Sequence, residues 1–156
     1  MSVEPIAPYL EPLRVSVHVK RPVAQAFELF TSGFGRWWPV ATHSISEDKA
    51  MTCGIEPVVG GAVYEVNDQG VKLPWGHVVA WEPPRRLVLY WHPGHDPEKG
   101  QEVEIRFEED GQGTRVALEH RDWQKLGQDA EAARKGYGMG WPGVLQQFVA
   151  AANGNG

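Results

Sequence analysis

Residues 102–108 read Glu102-Val103-Glu104-Ile105-Arg106-Phe107-Glu108, and residues 114–121 read Thr114-Arg115-Val116-Ala117-Leu118-Glu119-His120-Arg121. In the first run Val103, Ile105 and Phe107 alternate with charged residues. In the second, Val116 and Leu118 alternate with Arg115, Ala117 and Glu119. Between them lies Asp110-Gly111-Gln112-Gly113, a turn in composition. Alternation of this kind predicts antiparallel strands with one buried and one solvated face. A parallel sheet covered on both sides would show continuous apolar runs instead.

Working outward, the same logic predicts strands at Met51–Val58, Ala62–Val66, Trp75–Trp81 and Leu87–His92. They are separated by Gly60-Gly61, Asn67 to Gly70, Pro83-Pro84 and Pro93 to Gly100. Upstream, Leu13, Val15, Val17 and Val19 alternate with polar residues and add a seventh strand. Pro22 fits the first turn of a helix, and Val23, Ala26, Phe27 and Phe30 form its apolar stripe. Gly33 and Gly35 break it, and Phe34 to Pro39 reads as a short element carrying Trp37 and Trp38. Downstream, Gln128–Lys135 has helical composition stopped by Gly136. Pro142 then opens a helix with Val144, Leu145, Phe148, Val149 and Ala152 on one face. The predicted order is strand, helix, short helix, six strands, helix, in one domain over residues 13–152. An extended lead-in at 1–12 and a flexible tail at 153–156 flank it.

Composition narrows the function classes. The chain has 156 residues, 42% of them hydrophobic, and 18 Gly with 12 Pro argue for many turns rather than a helical bundle. Fifteen Lys and Arg against twenty Asp and Glu give a net charge of −5 with no basic block, which speaks against nucleic acid. The start, Met1-Ser2-Val3-Glu4-Pro5, is neither cationic nor apolar, so no secretory signal is expected. No stretch approaches a membrane span. The single cysteine, Cys53, fits a reducing compartment, so a cytoplasmic location is expected.

Several motifs together carry a resemblance: Arg36-Trp37-Trp38-Pro39, His43-Ser44-Ile45, Gly60-Gly61, and the run from Trp75 to Leu89 containing Trp81-Glu82-Pro83-Pro84-Arg85-Arg86. Leu118-Glu119-His120 and Gly140-Trp141-Pro142-Gly143-Val144-Leu145 follow in register. Over residues 13–152 the chain resembles the activator of heat-shock protein 90 ATPase homologue family of the START-like, SRPBCC superfamily. The resemblance implies an α+β helix-grip fold, in which a curved seven-stranded antiparallel sheet wraps a long C-terminal helix. That superfamily includes lipid carriers, polyketide aromatase/cyclases and a co-chaperone. The eukaryotic co-chaperone has a separate N-terminal domain, whereas a single stand-alone domain is expected here. A chaperone partner is one reading the family name implies, and homodimerisation through sheet edges is left open.

The chemistry-bearing residues are few. His92-Pro93-Gly94-His95-Asp96 sits on a turn without a third convergent ligand, so no metal is expected and the segment reads as an exposed loop. Cys53, between Met51 and Ile55 at strand period, reads as a small core hydrophobe. No nucleophile elbow, phosphate-binding loop or other cofactor motif is present. His120 extends the apolar face of its strand inward. Glu65 points inward with Val63, or outward if Tyr64 and Val66 face the core. Inward, Glu65 and His120 form a candidate acid/base pair. Of the seven tryptophans, Trp37, Trp38, Trp91 and Trp141 fall where a curved sheet meets its helices. With Tyr137, Leu145 and His120 they are candidates for lining a cavity, or else they form a closed aromatic core. Trp75, Trp81 and Trp123 read as strand-end or turn residues. The expected function is binding of an apolar or aromatic small molecule, lipid-like or polyketide-like. An acid/base enzyme using the same pocket is the alternative.

Overall fold

The computed structural model describes residues 9–154. Most of the lead-in at 1–12 and the end of the tail at 153–156 lie outside those residues. Strands β1 (Leu13–Val19), β2 (Ala50–Ile55), β3 (Ala62–Asn67), β4 (Lys72–Glu82), β5 (Arg86–Trp91), β6 (Gln101–Asp110) and β7 (Gly113–Arg121) form one antiparallel sheet. Its order is β1-β7-β6-β5-β4-β3-β2. Helices α1 (Val23–Thr31) and α2 (Phe34–Trp37) close one end, and the 24-residue α3 (Ala130–Asn153) lies in the concave face. This is the helix-grip arrangement.

The strands of the opening hairpin behave as their alternation predicts. Phe107 faces Val116, Ile105 faces Leu118 and Val103 faces His120, all on the inner side. Phe30 of α1 packs against Phe107 and against Phe148 of α3, with ring centroids 5.7 and 5.2 Å apart. Each such aromatic contributes about 1.5–3 kcal/mol by leaving water, so this three-element contact is a principal weld of the fold. On the outer face, Glu104 lies buried beneath the guanidinium groups of Arg86, Arg106 and Arg121, 2.6–2.7 Å away. Burial pushes its carboxyl up, but the hydrogen bonds from Arg121, Arg86 and Arg106 outweigh this and hold it down at about 2.

Several expectations need correction. Residues 130–153 form one helix; neither Gly136 nor Pro142 interrupts it. The proline leaves the Gly138 carbonyl without its helical N–H partner. Burial of Trp141, Val144, Leu145, Phe148 and Ala152 against the sheet outweighs that loss. Pro22 caps α1 from just outside its first turn. β2 ends at Ile55, before Pro57, and an irregularity between Ala50 and Thr52 turns Met51 out to solvent while Cys53 stays inside. His92, expected on an exposed loop, is buried, with its backbone N–H donating to the Trp75 carbonyl at 2.7 Å. His95 and Asp96 remain exposed.

The largest correction concerns Trp75 and Trp81. Val63 pairs with Gly76 and Tyr64 with Pro74, so Trp75 is the extra residue of a bulge. A second shift, between Val78 and Ala80, makes Val79 the extra one. Each bulge reverses the facing of the residues beyond it, so Trp75 turns inward beside Val78 and Trp81 turns in to meet Phe27 at 5.2 Å. Gly76 has φ +153°, and a Cβ there would collide with the Tyr90 carbonyl oxygen. Only glycine fits that corner.

Candidate functional site

The inner ends of β4 and β5, the segment after α2 and the middle of α3 enclose a cavity of about 360 Å³. Trp38, Trp75, Trp91, Ile45 and Tyr137 supply most of its wall, with His43, Ser44, Pro93 and Gly94 at the rim. Its volume falls within the usual range for small-molecule sites. A larger hollow of about 610 Å³ lies between α1, α2 and the end of α3. It is bordered by half-buried Arg21 and by exposed polar groups such as Gln25, Glu28 and Arg36, and no aromatic side chain among the described residues lines it. The aromatic cavity is therefore the candidate site.

Glu65 ties one wall together. Its side chain faces inward from β3 with no exposed surface, which settles its orientation. It accepts the backbone N–H groups of Ile45 (2.6 Å) and Ser46 (2.8 Å) and the indole N–H of Trp75 (2.6 Å). Burial pushes the carboxyl up, yet these donors outweigh it and its pKa lies below the usual value. The carboxylate thus fixes the segment that carries Ile45 over the cavity. The indole of Trp38 fastens the start of the same segment by donating to the His43 carbonyl at 2.7 Å.

His120 anchors the opposite wall. Trp141 Nε1 donates to His120 Nδ1 at 3.0 Å, and His120 Nε2 lies 3.0 Å from Gln101 Oε1. An indole nitrogen only donates, so Nδ1 is bare and Nε2–H points to the Gln101 carbonyl. Burial pushes the imidazole down to about 3, so it is neutral at physiological pH. Trp123 stacks on the ring at 4.1 Å and donates to the His120 carbonyl at 3.0 Å. Trp91 Nε1 donates to the Tyr137 hydroxyl at 3.3 Å.

Of the expected site residues, Trp38, Trp91 and Tyr137 line the cavity. Trp141 stands directly behind, 5.8 Å from Trp38 and 5.5 Å from Trp91 between ring centroids. Trp37 packs deeper, against Phe30 and Phe148, and Leu145 and His120 are fully buried in the core. Glu65 and His120 share no hydrogen bond. Trp75, Trp91 and Trp141 stand between them, and the polar atoms of both already serve protein partners. Cys53 is buried, and its thiol is pushed up to about 12 by burial and by the nearby Glu65 charge. It is thus held as an inert thiol. Trp75 belongs to the wall although the sequence places it with the strand-end and turn residues; only its glycine neighbour Gly76 signals a bulge. His43 to Ile45 appear in the sequence as a motif but without periodicity to place them.

Comparison with known proteins agrees with this architecture. The family model described as "Activator of Hsp90 ATPase homolog 1-like protein" matches residues 20–153. None of the curated proteins matches the chain. Among solved structures, an anthrahydroquino-γ-pyrone synthase, Txn09, is 32% identical, with a TM-score of 0.62 over 90% of this chain and 96% of that one. The self-sacrificing resistance protein CalC from Micromonospora echinospora is also 32% identical, with a TM-score of 0.65 over 93% and 97% of the two chains. The Aha1 dimer from Colwellia psychrerythraea is 18% identical, with a TM-score of 0.64 over 94% and 100%, and shares the fold.

Proposed function

Since the chain belongs to the Activator of Hsp90 ATPase homolog 1-like family, we propose that it binds an apolar, aromatic small molecule in the hollow lined by Trp38, Trp75, Trp91 and Tyr137. The observation that carries this reading is the wall itself. Three indoles and a phenol stand among the nine residues that line an open hollow of about 360 Å³, and no Lys, Arg, Asp or Glu among the described residues lines it. Trp38, Trp75 and Trp91 present rings 5.3–5.7 Å apart at mutual angles of 54–68°. Such surfaces favour flat, weakly polar molecules. The test is a titration of intrinsic tryptophan fluorescence with two- and three-ring aromatic compounds, beside native mass spectrometry of protein from its own host. Saturable quenching by at least one compound is expected. Emission that no compound perturbs would refute the proposal.

A second reading, an enzyme acting on an aromatic substrate of this kind, is favoured by the 32% identical synthase. In it Glu65 and His120 shape the pocket rather than touch the reacting atoms, because their polar atoms are engaged. Once a convertible substrate is in hand, turnover by Glu65→Gln and His120→Ala decides their part. Unchanged rates in both remove them from the chemistry.

A further inference from the structure

We propose that the ligand carries a neutral carbonyl oxygen, of the aryl-ketone or quinone type, and that the Tyr137 hydroxyl donates a hydrogen bond to it. This rests on the cavity being a binding site. The polar hydrogens of the aromatic wall are almost all spent inside the protein. Trp38 donates to the His43 carbonyl, Trp75 to Glu65, and Trp141, behind them, to His120. Trp91 donates to the Tyr137 oxygen. That bond uses the acceptor side of the phenol and leaves its own O–H without an acceptor among the described residues. A phenol both accepts and donates, and in an apolar recess an idle donor is costly to keep dry. Tyr137 lines the cavity, and its oxygen lies 3.3 Å from the indole nitrogen of Trp91, another wall residue, so an oxygen on the occupant is a fitting acceptor.

The surroundings decide which kind of oxygen. No Lys or Arg among the described residues lines the cavity, and the one imidazole at its rim, His43, is exposed and already shares a hydrogen bond with Thr42 at 2.8 Å, so a carboxylate or phosphate would arrive without a fixed counter-charge, in a wall already backed by the Glu65 carboxylate. A hydroxyl donor on the ligand would find the phenol's acceptor side occupied. A neutral carbonyl satisfies the phenol and brings no charge. Burial, which outweighs the Trp91 hydrogen bond, holds the phenol above its ordinary value, so it stays protonated and able to donate. The bond from Trp91 draws electron density from the oxygen and strengthens that donation.

The experiment uses a matched pair of tricyclic probes, 9-fluorenone and fluorene, which differ only at the bridging carbon, a carbonyl in the first and a methylene in the second. Dissociation constants are measured by calorimetry for the wild-type protein and for Tyr137→Phe. Wild type is expected to favour fluorenone by about tenfold, the size of one buried neutral hydrogen bond. Tyr137→Phe should lose that preference and bind the two probes with equal affinity. Equal wild-type affinities, or a preference that survives in Tyr137→Phe, overturn the inference and leave the binding site standing. Failure of wild type to bind fluorenone overturns the inference, and if no compound of the fluorescence panel binds either, the site falls with it. The wild-type comparison needs no variant, so a poorly folded Tyr137→Phe protein cannot shelter the claim.

Discussion

Lowering the pH from 7 to 5 should weaken this fold by about 2 kcal/mol through His120 alone. The imidazole has an ordinary value of 6.5 when the chain is unfolded and about 3 in the native state, where burial opposes its charge. Stability is full above 6.5 and falls as pH drops from 6.5 toward 3, because only the unfolded chain takes up the proton. At pH 5 the solution lies about 1.5 units below the unfolded histidine's 6.5, and at about 1.36 kcal/mol per unit the penalty is about 2 kcal/mol. The geometry explains why the native state refuses the proton. Nδ1 already accepts from Trp141, so a proton there would force two donors against each other at 3.0 Å. The assay is urea denaturation at both pH values, followed by fluorescence, for wild type and His120→Asn. Asparagine offers an oxygen near the place of Nδ1 but does not titrate. Other groups, including His92, whose value burial also lowers, contribute equally to both proteins and cancel. His120→Asn should lose about 2 kcal/mol less than wild type between pH 7 and 5. Equal losses in the two proteins would refute the buried, neutral histidine.

Glu65→Gln replaces a three-donor carboxylate with an amide that presents one acceptor oxygen. A loss of about 2–3 kcal/mol is expected in denaturant titration, with faster hydrogen exchange at the Ile45 and Ser46 amides. Gly76→Ala should abolish soluble folded protein, because its Cβ would run into the Tyr90 carbonyl oxygen; normal expression and an unchanged melting temperature would contradict the bulge. Gly136→Ala and Gly143→Ala add a Cβ that meets nothing within 4 Å on a helix. Each should stabilise by about 0.5–1 kcal/mol, raising the melting temperature by about 1–4 °C in a thermal scan.

How much of this is legible in the sequence varies strand by strand. β6 and β7 pair without a register shift, so alternation alone places Val103, Ile105, Phe107 and even the polar His120 on the inner face. β4 contains two shifts, and a period-two pattern cannot survive them. The reading of Trp75 and Trp81 as strand-end or turn residues therefore misses that both turn inward, although both sit in the strand predicted for them. Glu65 is ambiguous in the sequence because β3 offers a tyrosine on one face and a carboxylate on the other. Its partners, Ile45 and Ser46, lie about twenty residues upstream in a segment with no repeating pattern. α3 reads as two pieces because glycine and proline are local signals, whereas the packing of Trp141, Leu145 and Phe148 that holds it together is tertiary.

The tryptophan wall also has an optical meaning. Trp38, Trp75, Trp91 and Trp141 form a chain of neighbours with ring centroids 5.3–5.8 Å apart. At such spacing the indole transitions couple, so light absorbed by one ring can leave as emission from another. The near-ultraviolet circular dichroism should carry a split band from this coupled array. A molecule seated against Trp38, Trp75 and Trp91 alone would also darken Trp141, which it never touches. The protein carries its own antenna, and occupancy of the cavity is written in the colour and intensity of the whole cluster.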